Sequence, residues 1–466
     1  MMLLKIAGRN ILRNRRRSFM TGSAIAVGAT AMLVFGGFIS YIFAGLETGL
    51  VQRTGHLTLF RSGYYLFGAG NPAAYGIPDY QKVMTLIGQD PTMRALIRVI
   101  TPTQSLVGIA GNFAGGVDAA KTFLGIGVVP SNQRLMRTWN EYSLVQIEPI
   151  DSLLSDDQPQ RGSVGGGLAR MLGLCAPLKI VGCPAPPVVA TADAGTPLGN
   201  DLTDLAHGEL GTDSAPDSAL PRLDLLGATA GGAPNVVSLE VAGIARQGVK
   251  ELDDNYVAMP LGLAQQLVYG RGEHKVTGIV LQLNRTEDMA AARARLAALM
   301  AANHLDLEVH GFAELNPFYG QVVALFGTIF IFITVIMGVI VLFAVVNTMT
   351  MNVLERTNEI GTIRAMGVRR SGIRRQFLVE GWMLGAIGAT AGVILALGIA
   401  AIVNRAGLTW TPPGNANGVP FRLTSPPMPG LLLGTWFGLV IVATIASLLP
   451  ANRAARLPVV DALRHV

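Results

Sequence analysis

The sequence predicts an α-helical membrane domain of four transmembrane helices, plus a large α+β extracytoplasmic domain with βαβ-like units. Three observations predict it. Half of the 466 residues are apolar and only 14% are charged, too little charge to cover a soluble surface. Mean hydropathy is +0.44. Four long apolar runs divide the chain, and arginine clusters fall on alternate sides of them. The net charge of +6 sits beside these runs without interleaved aromatics, which argues against nucleic-acid binding.

A spanning helix needs about 20 apolar residues. The first run, 18–46, carries no charge between Arg17 and Glu47. A signal-peptide apolar region is only about 7–15 residues long, so this run reads as a retained helix. The others are 321–354, 381–403 and 428–450. Lys5, Arg9, Arg13, Arg15, Arg16 and Arg17 precede the first. Arg356, Arg364, Arg369, Arg370, Arg374 and Arg375 fall between the second and third. Arg453, Arg456 and Arg464 follow the fourth. The 404–427 loop holds only Arg405 and Arg422. The positive-inside rule then puts both termini and the 355–380 loop in the cytoplasm of an inner-membrane protein, with 47–320 outside.

Residues 1–17 can form an amphipathic helix, with Leu3, Leu4, Ala7, Ile11 and Leu12 opposite Lys5, Arg9 and Arg13. Such a helix lies on anionic lipid; orientation charge alone is the other reading. Arg13, Arg15, Arg16, Arg17, Arg374 and Arg375 are the expected membrane-surface anchors, and 451–466 the cytoplasmic tail.

In the outer segment, Lys275 to Leu283 reads as a strand, Thr286 to Ala302 as a helix with Arg293 and Arg295 exposed, and Leu305 to Val309 as a second strand. A similar unit runs from a helix near Met93 to a strand ending at Phe123 to Val129. Val236 to Ile244 and Tyr256 to Met259 are strand-like, and Leu168 to Leu172 helix-like. Between them, about 145–235 loses pattern and reads as an inserted element, its 184–234 part a mobile or contact loop. Cys175 and Cys183 lie outside the cytoplasm, where a disulfide is permitted; two unpaired small hydrophobes is the alternative.

Catalytic signatures are missing. Gly115 to Thr122 resembles a phosphate loop but has Ala120 where glycine is needed. His56, His207, His274, His304, His310 and His465 lack metal-ligand spacing. The apolar runs carry almost no ionisable groups, which disfavours an ion-coupled carrier. Asn347 and Thr348 are the polar pair of the second run, suited to bonding a neighbouring helix.

The 355–380 loop pairs Glu355 and Glu359 on one helical face beside Ile360 and Ile363. Gly367 can close this helix and Ser371 can cap the next. The pattern suits docking to a cytoplasmic partner or, equally, a solvated salt-bridged turn. Here ERTNEIGTIRAMGVRRSGIRRQFLVEG resembles the signature of the FtsX-like permeases of the MacB, LolC and LolE type. Ala7 to Phe19 and Pro450 to His465 are similar to that family's two ends. The resemblance implies a non-catalytic permease, paired with a second copy or paralogue and bound to a cytoplasmic ABC ATPase dimer on separate chains. ATP and Mg would be bound by that ATPase, with no cofactor in this chain. It also implies that Glu355, Arg356, Glu359, Ile360, Gly361, Arg364, Ala365 and Gly367 dock the ATPase. Export or extraction of lipoprotein, lipid-like or peptide cargo is expected, with an extracytoplasmic carrier or adaptor as further partner. The rival is an FtsX-like signalling role that controls a cell-wall hydrolase without transport.

Overall fold

A computed structural model describes residues 2–13, 15–113, 119–144, 153–180, 220–245, 247, 250–270, 274–410, 419–423 and 429–458. Cys183, His207, His465, residues 115–118 of the phosphate-loop near miss, most of the 184–234 segment and the end of the C-terminal motif lie outside the described residues. The chain divides into two compact units, one from 1–46, 317–410 and 419–466, the other centred on 47–316.

Helices α1 (Met2–Arg13) and α2 (Arg15–Thr54) open the chain. At 1.5 Å per residue, the 40 residues of α2 extend about 60 Å, twice the ~30 Å of a bilayer's hydrocarbon core. The helix stops at Gly55, whose φ of 67° favours glycine. A Cβ there would also stand 2.5 Å from Val280 Cγ1.

The α+β unit follows. Its main elements, several one-turn helices aside, begin with β1 (Leu57–Arg61), α3 (Tyr80–Gln89), α4 (Pro91–Leu96), β2 (Ile97–Asn112), β3 (Ala119–Val128) and α5 (Pro130–Arg137). Then come β4 (Arg161–Val164), α6 (Gly166–Met171), β5 (Arg222–Ala228), β6 (Pro234–Ile244), β7 (Tyr256–Pro260) and α7 (Leu261–Tyr269). The last are β8 (Gly278–Leu283), α8 (Met289–Ala302) and β9 (Leu307–Gly311). Strand β1 is antiparallel to both β8 and β9, and β8 is antiparallel to β2. So β1 and β2 run the same way with β8 between them, and β8 and β9 run the same way with β1 between them. Helices join each parallel pair. The result is two interlocked split β-α-β units. One apolar core unites Leu57, Leu59, Ile279 and Leu281 of the strands with Val83, Ile87, Met93 and Leu296 of the helices. Asp90 caps α4 by accepting the Met93 amide at 2.9 Å. It also holds Arg295 of α8 at 2.5 Å, so Arg295, exposed as the sequence predicts, also ties α8 to the start of α4.

Strand β2 serves a second assembly. Its first half pairs with β8; its second pairs with β3 and β5. The ring β2-β3-β7-β4-β6-β5 returns to β2 through parallel β3–β7 and β4–β6 pairs and antiparallel β4–β7 and β5–β6 pairs. Closure leaves these six strands without a free edge. Residues of β5 alternate exposed and buried along its whole length, as one-sided burial requires. Within 145–235, read from the sequence as an inserted element, strands β4 and β5 complete the ring, and helix α6 falls where Leu168 to Leu172 reads as helix-like. Four residues of β4 are too few to show a period.

His56 is fully buried. Its Nδ1 accepts the Leu283 amide at 3.0 Å, so the proton sits on Nε2, 3.2 Å from Thr286 Oγ1. Thr286 Oγ1 and Tyr142 OH donate to Glu47 Oε1 at 2.6 and 2.7 Å. Burial pushes the His56 imidazole down to about 4. Burial, then the Glu47 hydrogen bond, pushes the Tyr142 hydroxyl up.

The other unit is completed by α9 (Pro317–Glu355), α10 (Thr357–Ala365), α11 (Arg370–Ala406) and α12 (Pro429–Arg456). Helices α2, α9, α11 and α12 are long and apolar enough to cross a membrane. Small residues on α11 let it approach two partners. A Cβ at Gly381 or Gly385 would meet Ser447 or Ala443 of α12 at 2.6 or 2.8 Å. A Cβ at Gly388 or Gly392 would meet Ile25 or Ala29 of α2 at 2.8 or 2.5 Å. Backbone approach of this kind drives helix association in lipid. Thr348 of α9 meets Thr21 of α2 through hydroxyls 2.5 Å apart.

Below the usual histidine value of about 6.5 the unfolded chain takes up a proton that buried His56 refuses until pH is near 4. Stability of the α+β unit therefore falls as pH drops through that window, by up to about 3 kcal/mol. Hydrogen exchange of the β1 and β8 amides against pH should show the slope, and His56→Gln should flatten it. In the other unit, Gly392→Ala should lower the unfolding midpoint by the equivalent of about 1–3 kcal/mol. Gly398→Ala, with nothing within 4 Å, should be neutral.

Candidate functional site

The segment between α9 and α11 is a short helix held on several sides. Arg356 breaks α9 with φ −107° and ψ 17°. Helix α10 runs nine residues and closes on Gly367 at φ 95°. The Gly367 amide donates to the Arg364 carbonyl at 3.0 Å and the Val368 amide to the Ile363 carbonyl at 3.3 Å, a Schellman pair. Helix α11 then starts at Arg370. Ser371 falls inside its first turn, and Arg369 stands at the cap position without a side-chain bond.

Four polar ties hold α10 and its junction. Arg356 Nη1 lies 3.1 Å from Glu380 Oε1, with side chains only 4% and 3% exposed. The same Glu380 oxygen accepts Asn10 Nδ2 at 2.5 Å, so one carboxylate of α11 gathers α1 and α10. Arg13 pairs with Glu359 at 2.6 Å and Arg17 with Glu355 at 2.5 Å, both at half-exposed positions. Arg364 Nη1 donates to the Leu457 carbonyl just after α12. The exposed pairs contribute at most about 1 kcal/mol each. The buried pair differs in kind: removing one partner strands a charge away from water.

The predicted docking residues divide. Glu355, Glu359, Ala365 and Gly367 are exposed. Arg364 is half-buried. Arg356, Ile360 and Gly361 are buried among the chain's own helices and present no surface to a partner. Of the expected anchors, Arg15, Arg16, Arg374 and Arg375 are exposed, whereas Arg13 and Arg17 are spent on Glu359 and Glu355. In α1, Ala7 is fully buried and Leu12 is 63% exposed, so the helix turns Ala7, not Leu12, inward. Glu380 and Asn10 escape sequence reasoning. A carboxylate directly before the apolar run at Gly381 is the one signal that points to the first. Cys175 is disulfide-bonded. Among the described residues, no group of three or more His, Cys, Asp or Glu is placed to hold a metal ion.

Residues 330–459 match a family model described as FtsX-like permease C-terminal; they take in most of α9 and all of α10, α11 and α12. The chain is 30% identical over 242 residues to the macrolide export ATP-binding/permease protein MacB of Hyphomonas neptunium, covering 50% of this chain and 34% of that protein. It is 28% identical over 232 residues to the uncharacterized ABC transporter permease YknZ of Bacillus subtilis, covering 49% of this chain and 54% of that one. The matches thus span about a third to about half of these relatives' own lengths. The periplasmic region of MacB from Actinobacillus actinomycetemcomitans aligns with 57% of this chain and 94% of its own at 12% identity, with a TM-score of 0.30. The chain carries an FtsX-like permease domain and is related to ABC transporter permeases.

Glu380→Gln or Arg356→Met alone should destabilise the membrane unit by about 3–5 kcal/mol. The double variant should cost clearly less than the sum, and Arg13→Gln less than about 1 kcal/mol. Denaturation in detergent micelles measures all four; additive effects of the double variant would refute the pairing.

Proposed function

We propose that the chain is the permease subunit of an ABC-type export or extraction complex, itself non-catalytic and driven by a separate cytoplasmic ATPase dimer that binds ATP and Mg. The observation that carries this reading is the pair of exposed carboxylates of Glu355, the last residue of α9, and Glu359 of α10, at a junction cross-linked to α1, α2, α11 and the end of α12. The sequence places the two on one helical face, but the break at Arg356 sets them on two helices. A free loop would absorb a push from a docked ATPase. A junction tied at four points passes it on, and α9 runs into it as one 39-residue helix. The positive-inside pattern supports a cytoplasmic α10, cytoplasmic termini and an extracytoplasmic α+β unit. A second permease copy or paralogue would complete the membrane assembly. The cargo would be a lipoprotein, lipid-like molecule or peptide, handled on the outer face by movement of the α+β unit.

Affinity purification from native membranes should bring down an ABC ATPase. Reversing charge at Glu355 and Glu359 together should abolish its stimulation at least about tenfold while the chain stays inserted, because two exposed pairs cost the fold little. Full stimulation in the double variant would refute the docking role of α10. Absence of any ATPase in several detergents would refute the permease reading.

A further inference from the structure

Docking through α10 leaves α1 without a role, yet α1 is placed with precision on the same hub. Ala7 is fully buried, and a Cβ on Gly8 would meet Met383 of α11 at 3.6 Å. Asn10 Nδ2 reaches Glu380 Oε1 at 2.5 Å, the oxygen that Arg356 also holds. Three residues on, Arg13 reaches Glu359 of α10 at 2.6 Å. Helix α1 therefore touches the docking helix twice, once directly and once through a shared buried carboxylate.

The rest of α1 and the start of α2 is cationic and unspent. Arg9, Arg15 and Arg16 are exposed, and none pairs with a carboxylate among the described residues. Arg15 Nε donates only to the Leu12 carbonyl at 3.2 Å. These cations stand where the chain enters a membrane-crossing helix. Anionic phospholipid headgroups are the ligands they match.

We propose that α1 is a lipid-responsive lever on the docking helix. Anionic phospholipids held by Arg9, Arg15 and Arg16 pin α1. Through Asn10–Glu380 and Arg13–Glu359, α1 then sets the pose and rigidity of α10. Asn10 is a positioning residue: it acts on α10 only through Glu380. In a bilayer poor in anionic lipid, α1 is released and α10 loosens. The proposal rests on reading α10 as the docking helix, but its structural half can be tested without any ATPase.

The test is hydrogen exchange of the α10 amides in the full chain, in nanodiscs of phosphatidylcholine and of a phosphatidylcholine–phosphatidylglycerol mixture. The wild type should exchange about fivefold more slowly in the mixture. Asn10→Ala and the triple variant Arg9→Gln, Arg15→Gln, Arg16→Gln should each lose that difference. Equal exchange of the wild type in both lipids overturns the proposal. So does a full lipid response in the triple variant, which alters only surface groups. A merely structural Asn10 would speed exchange equally in both lipids and keep their ratio, which also overturns it. A positive result together with failure to recover an ATPase would sink the docking reading alone.

Discussion

Glu380 carries a charge almost wholly removed from solvent, at the point where α11 turns from basic to apolar. An isolated carboxylate in that position would be several kcal/mol too costly to hold ionised. It is tolerable because Arg356 and Asn10 both reach the same oxygen. That single acceptor fixes where α9 breaks, since Arg356 is the breaking residue. It fixes where α10 begins, and it seats α1 against α11. The half-exposed pairs around it align α10 but could be lost individually at little cost. The buried Arg356–Glu380 pair, with half-buried Asn10 on the same oxygen, therefore sets the geometry, and the surface pairs refine it.

Above the hub the membrane unit relies on a different device. Lipid offers no hydrophobic drive between helices, so close backbone approach does the holding. Helix α11 presents Gly381 and Gly385 to α12, then Gly388 and Gly392 to α2, and so binds both neighbours with four glycines. Helix α9 meets its neighbours with larger side chains and leaves Phe332 and Phe343 exposed. Helix α9 packs on α12 and joins the common core through Val341, Val345 and Met349, while α11 makes the closest backbone approaches in the unit.

The α+β unit depends on β2. Its 16 residues belong to both the interlocked split β-α-β units and the closed six-stranded ring. A strand shared in this way leaves the two cores, around Leu281 and around Leu225, no freedom to part.

Several elements are legible in the sequence because each follows from a local pattern. Long uncharged runs imply spanning helices, since nothing else satisfies the backbone in hydrocarbon. The strand and helix from Lys275 to Ala302 are legible from their composition, and the strand at Leu305 to Val309 from its alternation. Gly367 announces the end of α10, because few other residues accept its φ. The tertiary structure alone decided the rest. Arg356, Ile360 and Gly361 look like the surface residues beside them in the sequence, and only packing shows them buried. Strand β4 is too short to carry a period and exists because β6 and β7 offer it partners. Glu380 and Asn10 lie 370 positions apart; sequence spacing holds no information about such a pair, because the fold, not the helix repeat, brings them together.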